Sequence, residues 1–263
     1  MFWKYYFITA FVSLMLASFA SGDTITQDGT VIENQHFTGT LNIKANGCVI
    51  RNCTFDVGTG TAGSWYGIHA RHWDDNGQPY TRNLIENCVI RGAKSANIYC
   101  HYTTVRRCYI YEGGADGIKM EDNCIIEYNY ITKMGMIPGS HADGIQSRGG
   151  DNCVIRYNNI YMPVSMSEYN SNAAIIIQAE TSDITNVQIY GNTLEGGNYT
   201  VYLRAPNYDL HTTSLHDNVF GSDFRYGPLS SVSDMRPKRV SVDGNLWDDN
   251  SFMDINLWDG DNK

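Results

Sequence analysis

The chain repeats one short pattern of apolar and polar positions. An aliphatic residue is followed by two polar or glycine positions and then by Asn or Cys. It occurs as Ile50-Arg51-Asn52-Cys53, Ile85-Glu86-Asn87-Cys88, Val105-Arg106-Arg107-Cys108 and Ile126-Glu127-Tyr128-Asn129. It returns as Ile155-Arg156-Tyr157-Asn158, Ile189-Tyr190-Gly191-Asn192, Leu215-His216-Asp217-Asn218 and Val242-Asp243-Gly244-Asn245. The Asn or Cys positions lie 35, 20, 21, 29, 34, 26 and 27 residues apart. A minimum period with variable excess is the mark of a solenoid whose insertions go into loops. Each copy alternates apolar and polar, as a half-buried strand does, and no sustained helical period appears after residue 22. The pattern therefore predicts an all-β fold, a single-stranded parallel β-helix of about eight rungs over residues 23–263. Strands one coil apart pair along the axis, and stacking of coils makes the core.

The Asn and Cys positions predict inward columns. Asn side chains at a turn can bond their neighbours above and below, and Cys53, Cys88 and Cys108 replace them as small apolar groups. Cys48, Cys124 and Cys153 form a second column. The chain holds seven Cys, an odd number. Cys88–Cys108 and Cys124–Cys153 are the pairs near enough to bridge, but the columns account for these residues as reduced core groups.

One strand beyond the columns, GADGIKMEDNC (Gly114–Cys124) is echoed by SHADGIQSRGGDNC (Ser140–Cys153). Aligned coil by coil, the inward aliphatic residue is followed by an outward one. This predicts an exposed row of His69, Tyr99, Lys119, Gln146, Gln178 and Arg204. Two residues further on, a second row holds Arg71, His101, Glu121, Arg148 and Glu180. Gly67, Gly117 and Gly144 beside the first row are read as space for a ligand against the backbone. Asp116 and Asp143 would point inward by strict alternation, which is costly for a charge, so they are expected at the bend entering the strand. There each makes an Asx turn or reaches into the groove. His141, after a loop over Lys133–Ser140, is a loop residue or a groove acid/base. Tyr199, Tyr202, Arg225 and Tyr226 add aromatic and basic groups at the far end.

Composition narrows the function. The 263 residues carry a net charge of −9, and no basic stripe is present to displace phosphate counterions, which argues against nucleic acid. Residues 1–22, MFWKYYFITAFVSLMLASFASG, combine Lys4, an apolar run to Leu16 and small residues at Ser18 and Ala20. They read as a signal peptide cleaved after Ala20 or Gly22. The run is short for a membrane span. The mature protein is expected to be secreted or extracellular, with the periplasm as the other compartment, and off the membrane.

With GCVIRNCTF, GADGIKM, SHADGIQS, NAAIIIQ and FRYGPL in hand, most of residues 23–248 resembles secreted right-handed parallel β-helix proteins of the pectate-lyase-like superfamily. That resemblance implies a carbohydrate-active protein. The Asn-Thr-Asp, Gly-His-Gly and Arg-x-Lys segments of polygalacturonase-type hydrolases are absent, and only an Asp-Gly echo remains at Asp116 and Asp143. A lyase acting on a uronate polymer must neutralise the carboxylate, take the C5 proton and protonate O4. Lys119 is the expected base, Arg148 the carboxylate partner, and His141 or Tyr99 the acid, with Asp143 alongside. His69, Arg71, Tyr99, His101, Asp116, Glu121, Gln146, Gln178, Tyr202 and Arg204 are the expected binding residues. Paired-carboxylate hydrolysis is the alternative, and a non-catalytic glycan-binding β-helix is the third reading. No cofactor or metal is assigned, although Asp116, Glu121 and Asp143 are the oxygen donors calcium would use. The expected partner is an anionic polysaccharide, and the expected state is a monomer.

Overall fold

The computed structural model describes residues 22–58, 63–230 and 240–248. Of the leader expected over 1–22, only Gly22 falls within them. The chain winds as a right-handed parallel β-helix. Its walls are three sheets of nine strands, and every neighbouring pair in them is parallel. Right-handed crossing between parallel strands follows from strand twist. No helix occurs among the described residues, hence none long and apolar enough to cross a membrane.

The first coil has no counterpart among the eight copies of the motif. Ile32 pairs with Ile50, so Gln35 stands where later coils carry Cys or Asn. The longer amide hid that coil from the repeat. Turning between the second and third sheets takes one left-handed residue just before the column. Asn52, Asn87, Arg107, Tyr128, Tyr157 and Asp217 all sit there, with φ between 52° and 57°. A repeated left-handed residue bends the chain at the same place in each coil.

Isoleucines stack inward on all three walls. Ile68, Ile98, Ile118, Ile145 and Ile175 are successive register partners and fully buried. The Asn column is a continuous amide ladder. Asn158 donates its side-chain amide to Asn192 Oδ1 at 3.0 Å and to Ile126 O at 2.9 Å. Asn192 repeats this with Asn218 Oδ1 at 2.9 Å and Ile155 O at 3.0 Å. Below Asn129 the cysteines take over with the same aim. Asn129 Nδ2 reaches Val105 O, and Cys108 Sγ reaches Ile85 O, the equivalent carbonyl one coil down. All seven cysteines are buried and free, including both candidate bridging pairs. Burial pushes the Cys124 thiol well up, as suits an inert core group.

The outer face of the second sheet carries a row of alternating sign. Glu33, Arg51, Glu86, Arg106, Glu127 and Arg156 are successive register partners. Arg106 pairs with Glu86 at 2.7 Å and Arg156 with Glu127 at 2.6 Å. Glu127 is only 8% exposed. Glu127→Lys would set three cations in line, one of them poorly hydrated. Urea unfolding is expected to show a loss of about 3 kcal/mol or more, with part of it recovered in high salt.

Candidate active site

The first sheet presents the wall. Register places His69, Tyr99, Lys119 and Gln146 in one row, as the sequence predicts. Beyond Gln146 the expected row slips by two residues. Gln146 pairs with Ile176, which pairs with Tyr202, while Gln178 pairs with Arg204. Ile145 takes Ile175 as its partner, where the expected row needs Ile177, and the run Ile175–Ile177 offers both. The eight-residue strand Ser171–Gln178 also bulges where Ala142 meets Ser171 and Asp143 meets Ala173. Asn172 is the extra residue, and a bulge of this kind re-aims a side chain.

Gly67, Gly117 and Gly144 do not open the groove, contrary to the expectation. A Cβ on Gly117 would lie 2.5 Å from Gly144 O and 2.9 Å from Ile131 Cγ2, and one on Gly144 would lie 2.6 Å from both Ala174 O and Ile160 Cγ2. These glycines serve close packing with the core. His101 is also misplaced by simple alternation. It is 1% exposed, lies edge-on to Trp73 and bonds His72 O at 3.0 Å through Nε2. It underlies the wall and offers no subsite.

Asp116 opens its strand directly after the bend at Gly114 and Ala115, and Asp143 lies inside its own strand; both side chains turn inward. They are 3% and 1% exposed. Their burial is tolerated because every carboxylate oxygen has a donor. Asp116 accepts the Asp143 backbone N–H at 2.8 Å on Oδ1 and Lys119 Nζ at 3.2 Å on Oδ2. Asp143 accepts Asn172 Nδ2 at 2.8 Å on Oδ1 and Gln146 Nε2 at 3.1 Å on Oδ2. Lys119 also donates to Ser95 Oγ at 2.9 Å. Burial pushes the Asp143 carboxyl well up, and the neighbouring Asp116 adds to it; Asp116 is raised too, chiefly by burial. The neighbour of Lys119 is thus a carboxyl group, and not the second cation that would suit a lysine as the expected base.

The flanking charges are paired. Arg148, half-exposed, holds Glu180 through two bonds of 2.7 Å. Arg71 pairs with Glu121, which also accepts the Tyr99 hydroxyl at 2.7 Å. Burial and that carboxylate raise the Tyr99 phenol. Arg71 lies over the Trp73 and Tyr99 rings. His69 and His72, ring centroids 4.1 Å apart, are pushed down to about 3 and about 4, first by burial. Both are therefore neutral at neutral pH and add no positive charge.

These side chains line a groove along the axis. A section of about 550 Å³ runs past Trp65, Tyr66, Tyr99, Lys119, Gln146 and Arg148. Beyond Gln146, a section of about 380 Å³ is bordered by His141, Asp143, Asn172, Gln178, Tyr202 and Arg204. His141 is exposed at its rim, on a left-handed residue with φ 48°. Asp116 borders neither section. A separate hollow of about 500 Å³ around Arg82, Tyr102 and Arg106 has no acidic residue in its lining. Among the described residues no group of three or more His, Cys, Asp or Glu is placed to hold a metal; Glu121 faces Arg71 and Tyr99, away from the two aspartates. Sequence reasoning missed Ser95, Asn172 and Asn198. Coil lengths vary too widely for the sequence to mark Asn172 as an extra residue.

No protein-family model and no curated protein sequence matches the chain. Solved structures do. An alginate lyase from Paenibacillus sp. str. FPU-7 matches with 14% identity and a TM-score of 0.49, over 87% of this chain and 86% of that one. The Dettilon tailspike protein matches at 13% and 0.46, over 87% and 54%. The tailspike of E. coli bacteriophage HK620, in complex with a pentasaccharide, matches at 14% and 0.41, over 83% and 48%. The chain spans about half the length of the tailspike chains. At these identities nothing about the site passes from one chain to another, and the likeness is one of backbone path.

Proposed function

We propose that the protein is a polysaccharide lyase that cleaves a uronate-containing polymer by β-elimination in this groove. One observation carries the reading. The buried Asp143 carboxyl, with its proton affinity raised, and the exposed His141 imidazole border the same section of groove. A carboxyl whose proton affinity is raised by burial is suited to act as a general acid toward the departing O4. An imidazole is the side chain best matched to taking a proton there, and His141 is assigned to the C5 proton. Lys119 and Arg148 flank Gln146 on the wall and would neutralise the substrate carboxylate, which favours the enolate-like charge of the transition state. The substrate would take the place of Glu180 on Arg148. Lys119 moves from base to clamp because a carboxylate already holds its ammonium. The open groove and its aromatic rims suit a chain of sugar rings.

Hydrolysis by paired carboxyls is the second reading. It is favoured by Asp116 and Asp143 standing on neighbouring coils, whose strands are about 4.8 Å apart, with Asp116 Oδ1 accepting the Asp143 backbone N–H, since retaining glycosidases bring two carboxyls to within about 5 Å. It ranks lower because Asp116 does not border the groove. The test is a panel of acidic and neutral polysaccharides incubated with the mature protein. New reducing ends together with ultraviolet absorbance from an unsaturated product support elimination. Reducing ends without that absorbance overturn it in favour of hydrolysis, and binding without cleavage overturns both.

A further inference from the structure

One hydrogen-bonded line continues from Asp143 to the far end of the groove. Asn172 Nδ2 donates to Asp143 Oδ1 at 2.8 Å, Asn198 Nδ2 donates to Asn172 Oδ1 at 3.1 Å, and Arg225 Nη1 donates to Asn198 Oδ1. Each link comes from a different coil. Asn172 is the bulged residue, Asn198 precedes the strand Tyr199–Arg204, and Arg225 precedes the strand Gly227–Leu229. Backbone bonds brace the line, with Asn198 N–H on Asn172 O at 2.7 Å and Arg225 N–H on Gly197 O at 2.9 Å. Arg225 is exposed and makes no ion pair among the described residues.

The line has a direction. A guanidinium can only donate, so the Asn198 oxygen must face Arg225 and its nitrogen must face Asn172. The Asn172 oxygen is then occupied, and its nitrogen must face Asp143. Reversing either amide would set donor against donor or acceptor against acceptor. We infer that Arg225, Asn198 and Asn172 are positioning residues that set, through this line, which side of the Asp143 carboxyl accepts and which side carries its proton. Oδ2 meets the Gln146 amide, which has no second side-chain partner among the described residues to fix its orientation and so can turn to accept. With Oδ1 held as an acceptor by Asn172, the proton of the neutral acid then lies on Oδ2, on the Gln146 side that borders both sections of the groove. When the acid is ionised both amides donate, which lowers the proton affinity of a carboxyl that burial alone would raise further. Lys119 closes the opposite end, through Asp116 and the Asp143 backbone N–H.

The inference deepens the proposed role of Asp143 as the acid, but its test needs no substrate, so it can fail while the activity stands, or stand while the activity fails. The probe is the through-hydrogen-bond coupling between the Asn172 side-chain nitrogen and the Asp143 carboxyl carbon, measured by NMR on labelled protein. Asp143→Asn identifies the carboxyl signal. Wild type and Arg225→Lys, which keep a donor at the head of the line, are expected to show the coupling. Arg225→Glu turns that head into an acceptor, reverses both amides and is expected to abolish it. Adding Asn198→Ala to Arg225→Glu cuts the line, frees Asn172 and is expected to restore it. Unchanged coupling in Arg225→Glu would overturn the inference, as would loss that persists in the double variant, because the charge would then act through space. Absence of the coupling in wild type would overturn it as well. Arg225 is exposed, and an unaltered backbone amide spectrum verifies that each variant is folded.

Discussion

Asp143→Asn, at the proposed acid, is expected to lower turnover on the polysaccharide that the panel identifies by about 10²–10⁴-fold, the range contributed by a positioned general acid, while making the protein more resistant to heat at neutral pH. The two effects share one cause. Burial and Asp116 raise the folded-state proton affinity of Asp143 above its value in the unfolded chain. For an acid shifted in that direction, the unfolded state loses its proton first as pH rises. The contribution of Asp143 to wild-type stability is therefore greatest below the ordinary carboxylate range and falls with pH from there up to the folded-state value. The amide of Asn has nearly the same shape and never ionises, so the variant escapes that decline. Scanning calorimetry across pH should show a melting-temperature advantage for Asp143→Asn at neutral pH that disappears in acid. Equal melting temperatures at every pH would mean that Asp143 is not held protonated by its surroundings. The assignment as acid also fixes the alkaline limb of the pH–rate profile: activity should fall as pH passes the raised value of Asp143.

Asn192→Leu is expected to be the most damaging single change to the scaffold, costing about 3 kcal/mol or more in urea unfolding. Leu has the same branching and the same number of heavy atoms but no amide. Asn192 Oδ1 accepts both the backbone N–H and the side-chain amide of Asn158, at 2.9 and 3.0 Å. Its own amide serves Ile155 O, Tyr190 O and Asn218 Oδ1. Removing it strands polar groups on three coils at once in a region closed to water, and each unpaired buried group costs about 1–3 kcal/mol. The loss should fall in the middle of the ladder and weaken the contact between the two halves of the solenoid, whose coils depend on nearest neighbours. A loss under 1 kcal/mol, about one ordinary net hydrogen bond, would show that the ladder relaxes around the gap.

Some of this was written in local pattern. Alternation within each strand, the Asn and Cys column and the echo of GADGIK in HADGIQ are features a few residues long. They led to the coil, the wall and the row His69, Tyr99, Lys119, Gln146. Each is determined by which side of a strand a side chain takes, a matter of counting by two. Gln35 escaped because the count looked for Asn or Cys, and His101 because outward on the pleat is not outward to water when Trp73 lies over it.

The chemistry was decided elsewhere. Whether Asp116 and Asp143 can be buried in strands turns on donors supplied by Lys119, Gln146 and Asn172, the last of them from another coil than the carboxyl it serves. The slip of Gln178 and Arg204 turns on which residue of the run Ile175–Ile177 meets Ile145. Composition and alternation by themselves established an all-β solenoid with a polar wall, because strand periodicity and a recurring turn residue suffice to specify a coil. Only the tertiary structure decided which carboxyl meets the groove, which lysine is already occupied and how Arg225 comes into line with Asp143, because those contacts join coils 20 to 35 residues apart whose register depends on every insertion between them.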